Sequence, residues 1–308
     1  MRNAFADEVT QLAAGNQRIV LLSGDIGNRL FDKLRAKSPR QFINCGVAEA
    51  NMMGVAAGMA LSGLRPITYT ITPFTTTRCL EHIRVDVAYH EAPVIIVGTG
   101  SGLSYASLGP THHSLEDFAI LRAIPNMRIL APWDAPSLRQ VLRQALLDPT
   151  PTYIRIGKKG EKDLVPIDQM AQIGRLTRIV TGDRVAIVAV GTVAGEAIRA
   201  ADELRRSGIS VTVSLAHTVK PLPESDLREL FQSHRCFVTV EEHSLAAGFG
   251  ESCLSFAHRC GFSGRVLPLG VPDVFLSKAG SQQYARKQAG IDSIAIVEAV
   301  RGVISPSS

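Results

Sequence analysis

Asn44 to Gly63 reads NCGVAEANMMGVAAGMALSG, and between Arg40 and Arg65 the only charged side chain is that of Glu49. The residues after it are apolar or small at every helical angle, so a helix here needs protein on all sides. Only a layered fold, with elements packed around a central one, supplies such surroundings. Ala50, Gly54 and Gly58 recur every fourth residue, leaving a nearly bare face suited to close approach by another helix. Glu49 must be paired, hydrogen-bonded or protonated, because an unpaired buried carboxylate costs on the order of several kcal/mol. Two roles meet that condition, and helix physics alone leaves both open. The carboxylate either caps its own first turn against the helix dipole or serves as a catalytic group in an apolar wall.

The rest of the chain describes the layers. RIVLLSGD, from Arg18 to Asp25, is a short apolar run ending in turn residues, the mark of a buried parallel strand with Asp25 at its mouth. PITYTI, PVIIVG, MRILAP and TYIRIG repeat that pattern, separated by helical segments that include one from about Thr76 to His90. This alternation predicts a doubly wound α/β domain over residues 1–160. A mixed stretch with Pro166 and scattered glycines predicts a linker over 161–182. The alternation then restarts with RVAIVAVGT, SVTVSLA, CFVTVEEH and RVLPLGVP, predicting a second, smaller doubly wound α/β domain over 183–308.

Composition removes several functional classes. The net charge of +5 is dispersed, its densest groups being Lys158-Lys159 and Arg205-Arg206, which argues against nucleic-acid binding. Five cysteines, with no CxxC pair and no metal-ligand spacing, predict free thiols in a reducing compartment and no metal site. No apolar run reaches the ~20 residues of a membrane span, and the N-terminal helix lacks a signal peptide's apolar core, so a cytoplasmic location is expected. Gly98, Gly100 and Gly102 after PVIIV look superficially like a dinucleotide fingerprint. Leu103 takes the last glycine position and SYASLGP follows instead of a helix, so nicotinamide binding is not expected.

NCGVAEANMMGVAAGMA, YTITPF, RVDVAYHEAPVIIVG, GPTHHSLEDFAILRAIPNM, PTYIRIG and EEHSLAAGFGES follow one another over nearly the whole chain. In that order they resemble the pyrimidine-binding and C-terminal domains of the thiamine-diphosphate-dependent transketolase family. The resemblance implies that Glu49 is the cofactor-activating glutamate. In the family this group bonds the pyrimidine N1′, favours the imino tautomer and lets the exocyclic nitrogen remove the thiazolium C2 proton. It likewise implies that Phe74 packs on the pyrimidine and that His112 reaches the substrate near the reacting carbon. Asp25 and Ile71 are counted with the cofactor-binding residues, Ile71 standing where relatives often have a second aromatic. Arg155 corresponds to an arginine that grips a sugar phosphate, its alternative being a salt bridge at the domain boundary. Arg78 and Arg29 are secondary anion-binding candidates, and His113 reads as a surface residue. Glu241, Glu242 and His243 read as interface or structural residues, with a place at the pocket mouth as a second role for His243.

Two departures refine this picture. Gly100-Ser101 and Ser107-Leu108 stand where transketolases carry acidic and histidine pairs facing the donor sugar. Their replacement removes two polar contacts to the usual ketose-phosphate donor and leaves room for a modified sugar or another two-carbon donor. Gly24-Asp25-Ile26 lacks the second glycine of the family's Gly-Asp-Gly motif, which with a later Asn holds the diphosphate and Mg²⁺ on a preceding domain. The resemblance therefore implies the C-terminal half of a split transketolase. Such a chain binds the pyrimidine end of thiamine diphosphate, leaves the diphosphate and Mg²⁺ to an N-terminal subunit, assembles as α2β2 and is inactive alone. The alternatives are a 2-oxo-acid dehydrogenase β subunit, a deoxyxylulose-phosphate-synthase-like acyl transferase or, in another class, a non-catalytic regulatory half.

Overall fold

The computed structural model describes residues 1–27, 29–165 and 171–304. The first half supplies β1 (Ile19–Ser23), β2 (Phe42–Asn44), β3 (Arg65–Ile71), β4 (Ile95–Thr99), β5 (Arg128–Leu130) and β6 (Thr152–Ile156). The second supplies β7 (Leu176–Val180), β8 (Val185–Val190), β9 (Val211–Ala216), β10 (Thr218–Lys220), β11 (Cys236–Ser244) and β12 (Arg265–Val271). They form a seven-stranded sheet of order β10-β5-β6-β4-β3-β1-β2 and a five-stranded sheet of order β12-β11-β8-β9-β7. Only β10 against β5 and β7 against β9 run antiparallel. Every residue of β1, β4, β5, β6, β8 and β9 is buried, as parallel strands covered on both faces must be.

Helix Arg2–Gly15 lays Phe5 and Val9 on one face of the first sheet, beside Leu138 and Val141 of helix Ala135–Leu147. The second of these starts at a reciprocal cap, in which the Ser137 N–H donates to Asp134 Oδ1 at 2.9 Å. Met52, Met53 and Ala56 of helix Glu49–Leu61 fill the other face with Ile83, Val87 and Phe118. One apolar cluster runs from Phe5 through Val97 and Trp133 to Ile187 and Val213, so the core is continuous across both sheets.

Four features differ from expectation. Helix Glu49–Leu61 is enclosed on one side only: Val55 and Leu61 stay 38% and 61% exposed, and Val47 just before it 77%. Among the described residues, nothing beyond the helix's own backbone lies within 4 Å of where a Gly58 Cβ would stand, so the small-residue face lacks a neighbour along its C-terminal part. The helix expected from about Thr76 to His90 is instead a tight turn at Thr77–Cys79, Leu80–His82 and a π-helical Ile83–Tyr89, preceded by a single helical turn at Thr72–Thr75. The β-branched run Thr75 to Thr77 disfavours a regular helix at the first break, whereas Pro73 sits in the first turn of Thr72–Thr75, where a proline is tolerated. Of the expected linker, Pro166 lies outside the described residues, while Leu176–Val180 is an edge strand of the second sheet. Finally, β10 crosses to the first sheet, where the Ala131 N–H also donates to the His217 carbonyl at 2.7 Å.

Candidate active site

The carboxyl ends of β1, β3, β4 and β6 open on one side, where ligands of such sheets bind. Glu49 begins its helix there after a turn in which Gly46 takes φ +70°. Its carboxylate is 3% exposed, with Oε2 2.7 Å from Arg78 Nη1 and Oε1 3.4 Å from the Thr70 hydroxyl. Gly24, just past β1, packs closely here: a Cβ would stand 3.1 Å from Thr70 Cβ and 3.2 Å from Glu49 Cγ, so either side chain would have to give by a few tenths of an ångström.

From Glu49 a row of side chains crosses the strand ends. The Arg78 guanidinium lies 4.1 Å from the centroid of the Phe74 ring. Phe74 meets the His112 ring edge-on at 5.5 Å, and His112 meets Tyr105 at 5.9 Å. Lys158 Nζ stands 4.6 Å from the Tyr105 centroid. His112 Nδ1 is 3.0 Å from the Thr111 hydroxyl, while Nε2 has no partner among the described residues. Behind the row, burial and then the charge of Glu49 push the Cys79 thiol up to about 12, so it stays protonated and unreactive.

The structure thus brings Glu49, Arg78, Phe74 and His112 together, with Ile71 half-buried at the end of β3. Asp25 and Arg29, both exposed and both at positive φ, lie apart from this row. They line a crevice of about 1080 Å³ with Ser23, Arg35 and Asn44 at the β2 edge, and none of Glu49, Phe74 or His112 borders it. Asp25 accepts a hydrogen bond from Asn44 Nδ2 at 2.9 Å.

Arg155 is placed where the domain-boundary role, not the anion-gripping one, fits. It is 5% exposed, and Nη2 donates to the carbonyls of Ser114 and Glu242 at 2.7 and 2.6 Å. Its Nε lies 3.2 Å from Asp117 Oδ2, and its guanidinium rests 4.3 Å from the Phe118 centroid. The guanidinium is thus taken up in the seam between the sheets through Nη2, Nε and one ring-facing side. His113 is buried instead of exposed, and burial lowers its pKa. His243 also lies in the seam and not at a pocket mouth: it stacks on Phe118 at 5.1 Å, and Nε2 accepts from the Ala119 N–H at 3.2 Å. Glu241 accepts from the N–H groups of Phe249 and Gly250, capping their helix.

Gly98 within β4 and Gly100 and Gly102 just after it serve close packing. A Cβ on Gly98 would meet Thr72 Oγ1 at 2.9 Å, one on Gly100 would enter the Tyr105 ring, and one on Gly102 would meet Glu242 Oε2 at 2.5 Å. Tyr105 and Lys158 join the row without being among the sequence candidates. A signal existed for Lys158, since a cation just beyond the end of a parallel strand faces the ligand side, whereas Arg155 lies within β6.

The profile described as transketolase, pyrimidine binding domain matches residues 1–160, and that described as transketolase, C-terminal domain matches 174–296. The chain belongs to the transketolase family. It is 32% identical over 303 residues to a putative transketolase C-terminal section of Methanocaldococcus jannaschii, covering 97% of this chain and 95% of that protein. It is 34% identical to the 1-deoxy-D-xylulose-5-phosphate synthase of Aquifex aeolicus, covering 98% of this chain and 48% of the enzyme, so it spans about half of that relative. A solved structure titled as a split gene transketolase, inactive β4 tetramer, superposes with a TM-score of 0.89 at 31% identity, covering 98% of this chain and 97% of that one.

Membership in this family implies dependence on thiamine diphosphate. The residues present fit its pyrimidine end: a buried carboxylate, an aromatic face beside it and a glycine where a Cβ would crowd that carboxylate. Among the described residues no cluster of three or more His, Cys, Asp or Glu side chains could hold a metal ion, and no helix is long and apolar enough to cross a membrane.

Proposed function

We propose that this chain is the pyrimidine-binding subunit of a two-subunit transketolase, moving a two-carbon ketol unit from a ketose phosphate or modified sugar to an aldose. The observation that carries this reading is the Glu49 carboxylate, buried beside Phe74 and in line with His112. When bound, thiamine diphosphate supplies the carbon that takes up the two-carbon unit and hands it on. Glu49 then holds a proton against the pyrimidine ring, and Phe74 gives that ring a flat apolar contact. His112, with Nδ1 3.0 Å from the Thr111 hydroxyl, presents Nε2 to a substrate oxygen, as a donor in the tautomer in which Thr111 donates to Nδ1. Lys158 stands further along the row as the cation for an anionic substrate group.

Arg78 fits this scheme as a partner that must yield. Its guanidinium makes the two contacts, with Glu49 and with Phe74, that an aminopyrimidine would need. With 44% of its side chain exposed, it can swing into solvent.

The diphosphate and Mg²⁺ belong, in this reading, to a separate N-terminal subunit in an α2β2 assembly. Two features support that: the chain's end-to-end match to a split-gene transketolase subunit, and the uncovered apolar edge of helix Glu49–Leu61. The deciding experiment mixes the chain with a partner subunit carrying the Gly-Asp-Gly and Asn motif. Calorimetric binding of thiamine diphosphate with Mg²⁺ is expected in the mixture and not in the lone chain, and Glu49→Gln should abolish ketol transfer. Near-normal turnover by the Glu49→Gln complex would overturn the mechanism.

A further inference from the structure

His112 rides on the loop from Gly100 to Ser114, and the second domain holds that loop at several points. The Leu103 N–H donates to Glu242 Oε2 at 3.0 Å, and Leu103 itself is fully buried. Gln282 Nε2 donates to Glu242 at 2.9 and 3.1 Å and lies 3.3 Å from the Ser104 hydroxyl. Gly102, at φ +56°, passes so close that a Cβ would meet the Glu242 side chain and its carbonyl within 2.9 Å. At the loop's far end Arg155 donates to the Ser114 and Glu242 carbonyls, and the Ser244 N–H donates to the Leu115 carbonyl at 2.8 Å. Glu242, 3% exposed, is itself fixed by Arg286, which also lies 3.3 Å from Glu196. Burial opposes the Arg286 charge, but the two glutamates outweigh it and raise its pKa.

We propose that Glu242 is a positioning residue for His112: the second domain, through this one buried carboxylate, sets where the histidine stands relative to Phe74. This rests on reading His112 as the substrate-facing group. A carboxylate between a loop N–H and a partly buried guanidinium suits the task, because charge-assisted hydrogen bonds are short and directional. Misplacement of a catalytic group by about 1 Å can cost on the order of 10²-fold in rate.

The test has two arms. In the chain alone, hydrogen exchange is compared between wild type, Glu242→Gln and the milder Gln282→Ala. Selective deprotection of amides in 101–115, with the β8 amides unchanged, is the expected result. Unchanged loop exchange in both variants would overturn the proposal, as would loosening that spreads equally into β8. In the complex with the partner subunit, Glu242→Gln should lower kcat by about 10-fold or more at unchanged cofactor affinity. That loss should vanish on a His112→Asn background, whereas a merely structural defect would persist there. If His112→Asn alone leaves kcat intact, the reading of His112 fails, and the exchange arm still decides whether Glu242 holds the loop.

Discussion

Acidification should loosen the junction between the two sheets through His217, and the effect can be sized from its surroundings. His217 links β9 to β10, is fully buried, and meets Trp133 edge-on at 5.4 Å. Among the described residues neither ring nitrogen makes a hydrogen bond of normal geometry, nor does the Trp133 indole N–H. Burial therefore drives the pKa of His217 down from 6.5 to about 4, against a smaller upward pull from the Gln172 backbone. In the unfolded chain the imidazole binds its proton near 6.5, and in the folded chain only near 4, so between those values the unfolded state carries the extra proton. Stability is complete above about pH 6.5 and falls as the pH drops towards 4. At 1.36 kcal/mol per unit, the loss is about 2 kcal/mol by about pH 5 and about 3 kcal/mol by about pH 4. Urea midpoints of wild type and His217→Phe, measured across this range, isolate the contribution because all other titrations are shared. The wild-type curve should fall away from the variant's below pH 6.5. Parallel curves would refute the reasoning.

Three further outcomes follow from the geometry. The ion pair joining Glu49 to Arg78 couples a 3% exposed carboxylate to a 44% exposed guanidinium, so it lies between surface and buried cases. Arg78→Met should cost about 2 kcal/mol in the lone chain, and adding Glu49→Gln should recover most of it in a double-mutant cycle, whereas strictly additive losses would contradict the pairing. Gly58→Ala should stabilise the lone chain by about 0.5–1 kcal/mol, since the helix gains propensity and the site is open. Gly58→Arg should leave the lone chain folded yet weaken its association with the partner in sedimentation, and unimpaired association would remove that helix face from the interface.

β1, β3, β4 and β6 were readable because each is an apolar run bounded by turn residues, a pattern that survives without knowledge of its neighbours. Glu49 was readable for a similar reason, as the only charge in a long apolar stretch. Arg155 shows where such reading ends. Its position on a strand is plain, but whether its side chain faces a ligand or a second domain depends on a sheet that begins some twenty residues later. Strands β7 and β10 are five and three residues long, and each is strand only because a neighbouring edge offers hydrogen bonds. The enclosure of helix Glu49–Leu61 was over-read, since composition does not say whether the covering protein belongs to the same chain.

The antiparallel edge formed by Thr218–Lys220 on β5 bears on how this molecule could be cut or recombined. A fragment ending near residue 160 would leave the backbone of β5 bare, a template for stray strand pairing and aggregation. A graft of another protein's second domain would have to bring a compatible three-residue strand, correctly aligned with Ile129 and Leu130. Proteolysis or recombination at the linker would therefore yield two pieces that remain interlocked, because the seam between the modules in space lies some sixty residues beyond the seam in sequence.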